Sequence, residues 1–314
     1  MTDKNKTCSV RNPEGSQGDF VSNGIKTFYS EDWEDYQLLD TGEGKKLERF
    51  GKYTFIRPYE DAFWKKSLPQ KEWDKADGIF FSSKEGAKSG WKMGNKIDSK
   101  WEMSHKGIKF WAWPTPFRHL GFFPEQASHW SFIEEKIKNS GRKIKFLNIF
   151  GYTGVASLFA LRAGADVTHL DASELILTKA KDNQELSKLG DLPMRVILDD
   201  AIKFIDREIK RGNKYDCIIM DPPKFGRGPK GEIWKIEKNL PELLHKVRKI
   251  LSDKPLFIIL TSYAIESSSL SLGYSLKEMM EDFKGKTEFG ELCVLEKSNN
   301  RLVSLANTAV WTAE

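Results

Sequence analysis

Between residues 143 and 262 the chain changes its hydrophobic period at nearly regular intervals, a pattern that few folds accept. KIKFLNIF (143–150) is an apolar, strand-like run closed by Gly151. Helix-spaced VASLFALRAG (155–164) follows, then strand-like DVTHLD (166–171), helical SELILTKAKDNQELSKLG (173–190) and strand-like MRVILDD (194–200). Helical AIKFIDREIKRG (201–212), strand-like YDCIIMD (215–221), a helix across 233–252 and strand-like PLFIILTS (255–262) extend the series. Apolar strands alternating with helices read as parallel strands, buried on both faces and joined by right-handed crossovers. The expected fold class is therefore α/β, built on a doubly wound sheet. Beyond a helix near 274–284, EFGELCVLEKS and RLVSLANTAVWTA are strand-like runs joined at Asn299-Asn300, so the sheet is expected to end in an antiparallel hairpin.

Upstream the texture differs. Residues 1–30 are rich in Gly, Ser, Asn, Asp and Lys without periodicity, which predicts a disordered or loosely ordered tail. Residues 31–115 carry short strand-like runs, YTFIRPY (53–59), DGIFFSS (77–83) and IKFWAWP (108–114), between Gly, Pro, Asp and Lys clusters. A small β-rich domain is expected there, and a ligand-binding domain over 116–314, opened by helical HWSFIEEKIKN (129–139). Tryptophans 33, 64, 73, 91, 101, 111 and 113 lie in the small domain, where they read as its core rather than as a base-stacking platform. Lysines 84, 88, 92, 96 and 100 are interrupted by Gly86, Gly90 and Gly94, which favours a solvated hairpin over a helical stripe.

Three cysteines (8, 217 and 293) and five histidines without HxH or HExxH spacing give neither a disulfide framework nor a metal site. No apolar stretch is long enough to cross a bilayer. The first residues lack an apolar leader, so a cytoplasmic protein is expected. A net charge of +5 permits an anionic partner without requiring one.

In a doubly wound sheet, ligands bind beyond the carboxyl ends of the strands where the strand order reverses. Three features fall there. FGYTG (150–154) offers a tight turn ahead of a helix N-terminus, Asp171 ends the second strand, and Asp199-Asp200 and Asp221-Pro222-Pro223-Lys224 follow the third and fourth. Together they outline a nucleoside-containing cofactor. A dehydrogenase also uses a glycine turn and a distal acid, but FGYTGVAS is not GxGxxG. Each feature alone also has a plain structural role: a tight connection for Gly151 and Gly154, a helix N-cap for Asp171 or Asp200, a rigid strand end for the prolines.

The series LNIFGYTGVASLFALRAGADVTHLDAS, LDDA and YDCIIMDPPKF, with a closing hairpin, resembles the class I S-adenosylmethionine-dependent methyltransferases over residues 118–314. It is similar to the branch of large-subunit ribosomal RNA (cytosine-5) methyltransferases whose fourth-strand motif also reads DPPKF, and GFFPEQ (121–126) resembles the segment before that domain. The resemblance implies a seven-stranded Rossmann-like sheet, S-adenosylmethionine as cofactor and ribosomal RNA as substrate. It implies that Phe150, Gly151, Thr153 and Gly154 surround the methionine end of the cofactor and that Asp171 holds the ribose hydroxyls. Ala172 and Ser173 would lie beside the adenine, Asp200 and Ala201 at its edge, and Gln126 across the site. Asp221, Pro222, Pro223 and Lys224 would form the catalytic wall facing the methyl acceptor.

Methyl transfer from a sulfonium is an in-line displacement that chiefly demands alignment and exclusion of water. Two consecutive prolines leave carbonyls without donors, suited to accept hydrogen bonds from an amino or ring N–H of a base turned out of its stack. Lys224, Arg227 and Lys230 stand beside the loop, where they can guide a phosphate backbone. Cytosine-5 chemistry needs a thiolate nucleophile, which the relatives carry just after the fifth strand. Here that stretch reads Leu260-Thr261-Ser262-Tyr263, which favours a nitrogen acceptor. Methylation of a protein side chain or small molecule, and a non-catalytic RNA-binding or assembly factor retaining the fold, are the alternative readings.

Overall fold

The structure, a computed structural model, describes residues 26–31, 33–82, 89–94, 96–263 and 268–314. Residues 1–25 of the expected tail, Cys8, and Lys84, Gly86 and Lys88 of the lysine run lie outside the described residues.

A short strand, β1 (Lys26–Phe28), leads into β2 (Tyr36–Gly42), β3 (Lys45–Phe50) and β4 (Tyr53–Pro58), a four-residue helix α1 (Gln70–Trp73), β5 (Gly78–Phe81) and β6 (Gly90–Met93). β2 to β6 form one sheet in that order, and β7 (Trp101–His105) and β8 (Ile108–Ala112) form a separate hairpin. Glu43 and Gly44 turn β2 into β3, both with positive φ, the conformation that matches a two-residue hairpin to strand twist. Side chains of β5 alternate strictly: Gly78 and Phe80 face inward, Ile79 and Phe81 outward. Of these tryptophans Trp33, Trp73 and Trp101 are buried in the core, whereas Trp64, Trp91, Trp111 and Trp113 are half-buried.

The core of this region is not its own. Trp33, Tyr36, Phe50, Phe55, Trp101 and Phe110 pack in one cluster with Trp130, Leu158 and Phe159. These last three come from α2 (Ala127–Lys138), which follows a 3₁₀ turn at Pro124–Gln126, and from α3 (Val155–Arg162), which follows β9 (Lys145–Ile149). The small sheet is thus mortared onto the larger unit by apolar surface, which favours a fixed orientation between them.

The larger unit continues through β10 (Asp166–Asp171), α4 (Glu174–Leu186), β11 (Met194–Leu198), α5 (Ala201–Arg211) and β12 (Cys217–Met220). Then come β13 (Phe225–Arg227), β14 (Ile233–Lys235), α6 (Ile236–Lys249), β15 (Phe257–Ser262), α7 (Ser269–Met279), β16 (Gly285–Leu295) and β17 (Leu302–Ala313). Sheet order is β1-β16-β17-β15-β12-β9-β10-β11, with β9 to β12 and β15 parallel and β17 antiparallel to both its neighbours. All four residues of β12 and all six of β15 are buried, as central parallel strands require. The chain winds outward from β9 to β11, then returns to β12 beside β9. The crevice between their carboxyl ends is the switch point.

Three details depart from the sequence reading. An eighth strand joins the expected seven, because Lys26–Phe28 pairs in parallel with the free edge of β16 at Gly290–Leu292. A Cβ on Gly290 would collide with the Lys26 backbone, so the glycine makes this approach possible. The helix expected over 233–252 begins only at Ile236, since Ile233–Lys235 pairs with Phe225–Arg227 as a small hairpin. The helix expected near 274–284 lies at Ser269–Met279, with Gly273 seated against the ring of Phe289.

Candidate functional site

The turn after β9 is an unusual piece of backbone. Phe150, Tyr152 and Gly154 all have positive φ, a conformation that costs energy for the first two and persists only when neighbours over-determine it. Those neighbours are identifiable. The Gly151 N–H donates to the Leu170 carbonyl at 2.8 Å and the Tyr152 N–H to Asp171 Oδ2 at 3.0 Å. Thr153 Oγ1 donates to the Gly121 carbonyl at 2.8 Å, and Asn183 Nδ2 donates to the Thr153 carbonyl at 2.9 Å. Under Gly151 lies the imidazole of His169, so close that any Cβ would enter the ring. His169 Nδ1 contacts Ser157 Oγ at 2.9 Å and Nε2 the Tyr152 carbonyl at 3.1 Å. Burial holds this imidazole down to about 4, so it is a neutral structural post.

Asp171 closes β10 and accepts the amides of Tyr152 and, at 2.9 Å, Ser173. Burial pushes its carboxyl above the usual range, with the backbone donors working against that rise. Asp200 caps α5, accepting the Lys203 N–H at 3.0 Å, while Asp199 accepts the Asp200 N–H at 2.9 Å and pairs with Arg207. Phe150, Gly151, Thr153, Gly154, Asp171, Ala172, Asp200 and Ala201 line one cavity of about 750 Å³, together with Gln126 and Asp221 to Lys224. Ser173 is outside that lining; its Oγ caps α4 by accepting the Ile176 N–H.

At the loop after β12, Gln126 Nε2 donates to Asp221 Oδ2 at 3.2 Å and to the Tyr263 hydroxyl at 2.9 Å. Burial pushes the Asp221 carboxyl up to about 7, Thr261 and Gln126 restraining the rise and the charge of Glu125 adding to it. The two prolines are not equivalent. The Pro223 carbonyl already accepts the indole N–H of Trp234 at 2.7 Å, and the Lys224 carbonyl accepts the Ile236 N–H at 3.1 Å. The β13–β14 hairpin thereby pins the loop, and Trp234 also packs on Phe150 with ring centres 4.9 Å apart.

Several lining residues had no role assigned from the sequence. Tyr263 and Phe123 pack with ring centres 4.8 Å apart, and the Tyr152 hydroxyl lies 3.2 Å from His119 Nδ1. Burial and the charges of Arg57 and Arg118 hold His119 down to about 4, hence neutral. Phe80, Ser89 and residues 116–119 complete the mouth from the N-terminal side, so both parts of the chain build the cavity. Tyr263 follows β15 directly, Tyr152 lies within FGYTG and Phe123 within GFFPEQ, whereas His119, Phe80 and Ser89 lie outside every motif. Neither Cys217 nor Cys293 lines the cavity. Among the described residues no group of three His, Cys, Asp or Glu side chains is placed to hold a metal ion. No helix among them is long and apolar enough to cross a membrane.

The donor set fits a cationic nucleoside. A half-buried carboxylate stands at the end of the second strand, small side chains at 172 and 201 leave room for a flat ring, and aromatic and acidic groups line the cavity. The volume lies within the range of pockets that enclose ligands of that size. Residues 80–272, more than half of the chain, match the family described as S-adenosylmethionine-dependent methyltransferase. The chain belongs to that family. A SAM-dependent methyltransferase from Agrobacterium tumefaciens is 40% identical over 92% of this chain and 94% of that one, with a TM-score of 0.88. SMU.776, solved in complex with SAH, is 17% identical with a TM-score of 0.69 over 90% of this chain and 76% of its own, a likeness of fold alone. Ribosomal RNA large subunit methyltransferase K of Neisseria meningitidis serogroup B is 26% identical over 201 residues, 61% of this chain. The match spans only 55% of that relative's length.

Proposed function

We propose that this methyltransferase-family protein transfers a methyl group from S-adenosylmethionine to a ring or amino nitrogen of a base in RNA, in the cytoplasm, with ribosomal RNA as its substrate. The observation that carries the reading is the shared cavity: the Asp221 carboxylate, raised to about 7, faces the same space as Asp171 and the turn at 150–154. Relatives named as ribosomal RNA large subunit methyltransferases K and I support RNA as the acceptor.

When bound, the cofactor supplies an electrophilic methyl on a sulfonium. Everything else falls to the chain. Asp171 accepts the ribose hydroxyls, and its elevated pKa reflects a carboxylate kept from water and available to such donors. Phe150, Gly151, Thr153 and Gly154 border the methionine end, Ala172 and Ala201 the adenine, and Asp200 its edge. Asp221, oriented by Gln126, accepts the N–H of the incoming base and takes up the proton that a nitrogen loses on methylation. The Pro222 carbonyl is the second acceptor, because Trp234 occupies that of Pro223. Lys224 stands at the mouth. Among the described residues neither Cys217 nor Cys293 is in the lining to add to a pyrimidine ring, which favours nitrogen over carbon.

Calorimetric titration with S-adenosylhomocysteine tests the cofactor half: tight binding by the unaltered protein and at least tenfold weaker binding by Asp171→Ala are expected. Incubation of cell extract with methyl-labelled cofactor tests the acceptor half. Label removed by RNase and retained after protease supports the reading; the reverse contradicts it.

A further inference from the structure

A second cavity, of about 330 Å³, opens at the seam between the N-terminal sheet and the larger unit. It shares a wall with the first: Arg118, His119, Phe122, Phe123 and Tyr263 line both. We propose that this second cavity is a subsite for a nucleotide adjacent to the one presented for methylation, with Lys46 and Arg118 holding its phosphodiester and Tyr59 and Phe123 offering aromatic faces to its base. The inference rests on the RNA reading above and extends it to a site on the other side of the Tyr263 wall.

The cations there differ in their commitments. Arg57 is fully engaged: Nε and Nη2 donate to Glu48 at 2.6 and 2.7 Å, and Nη1 donates to the Arg118 carbonyl at 2.9 Å. Lys46 is buried, and among the described residues its ammonium pairs with Glu48, at 3.4 Å. Burial and the neighbouring Arg57 charge pull it down to about 8, with Glu48 and Glu125 opposing the fall. Arg118 is an exposed side chain whose ion-pair partner is Glu60, also exposed, at 3.3 Å. Such a pair in water contributes little and gives way to a better ligand. The acids of the cavity are Glu60, Asp61 and Glu125, with Glu48 behind Arg57 and Lys46. Glu48 is consumed by Arg57 and Glu60 pairs with Arg118, while burial pushes the Glu125 carboxyl upward.

The placement suits a strand that has turned one base out. A nucleotide extruded into the first cavity leaves its neighbour within one backbone repeat, and Arg118 is where the two cavities meet. Aromatic faces beside cations are the combination that holds single-stranded nucleic acid with little sequence readout. On the far side of the shared wall, Ser262 Oγ is buried without a hydrogen-bond partner among the described residues, an acceptor or donor open to use when the pocket fills.

The test measures methylation of large-subunit ribosomal RNA, purified from cells lacking this protein, by the unaltered chain, Arg118→Gln and Lys46→Met. S-adenosylhomocysteine affinity serves as the check of folding. Each variant is expected to raise the RNA concentration for half-maximal rate roughly tenfold, the worth of one charge-assisted hydrogen bond. Each is also expected to flatten the slope of log affinity against log salt by about 0.7, one single-strand phosphate contact. Variants that bind S-adenosylhomocysteine normally and keep the parental half-saturation and salt slope overturn the subsite. Should Lys46→Met fail to fold, the surface variant Arg118→Gln decides alone. No methylation of RNA by the unaltered protein overturns the RNA reading and the subsite together.

Discussion

Replacing Asp221 with asparagine should make the cofactor-free protein more stable while abolishing methyl transfer, and the stability gain should depend on pH. Burial raises the carboxyl from its usual 3.8 to about 7. The folded protein therefore holds a proton on Asp221 that the unfolded chain has already released, between about pH 4 and pH 7. Over that window stability falls as pH rises; above it the full cost is present, ~4 kcal/mol at 1.36 kcal/mol per pH unit. Asparagine keeps the shape of the protonated acid and never ionises. Its advantage should grow by ~2–3 kcal/mol between pH 5 and pH 8, or about 5 °C in Tm for a chain of this size. Thermal unfolding of both proteins at the two pH values reads this directly. A Tm difference that stays constant from pH 5 to pH 8, or asparagine less stable at pH 8, would refute the reasoning. In the same variant, affinity for S-adenosylhomocysteine should persist and turnover should fall by roughly a hundredfold or more, the scale of a lost proton acceptor.

Other perturbations separate the parts of the site. Gln126→Leu removes a donor that stabilises the ionised Asp221, so the acid limb of the rate profile should move to higher pH; an unmoved limb would detach Gln126 from the carboxylate. Gly151→Ala drives a Cβ into the His169 ring, and the urea midpoint should fall by the equivalent of ~2–3 kcal/mol, with weaker S-adenosylhomocysteine binding by calorimetry. Trp234→Phe keeps the packing on Phe150 but frees the Pro223 carbonyl. Stability should drop by about 1 kcal/mol and turnover should fall at unchanged S-adenosylhomocysteine affinity.

The sequence was most legible where a long segment carries one period. Strands β9, β10, β12 and β15 lie where their apolar runs indicated, and Asn300 turns the closing hairpin with positive φ. FGYTG, Asp171 and DPPK could be brought together from the sequence, because the switch point of a doubly wound sheet follows from strand order alone. Short or remote pairings could not. Lys26–Phe28 and the partners Phe225–Arg227 and Ile233–Lys235 are three residues each, too few to show a period. The β-rich character of residues 31–115 was visible, whereas its sharing of one core with α2 and α3 was not, since nothing local distinguishes Trp33 packed on Trp130 from Trp33 packed within its own sheet. The prolines read as a matched pair of acceptors; only the fold reveals that Trp234, eleven residues on, takes one of them.

The central claim is that Asp221 and the loop it opens deliver a nitrogen of an RNA base to the cofactor. Mass spectrometry of nucleosides from large-subunit ribosomal RNA, compared between wild-type cells, cells lacking the protein and cells carrying Asp221→Asn, addresses it most directly. The expected result is one N-methylated nucleoside lost in the deletion, not restored by Asp221→Asn and restored by the wild-type chain. An unchanged nucleoside profile, a missing 5-methylpyrimidine, or full rescue by Asp221→Asn would contradict the account.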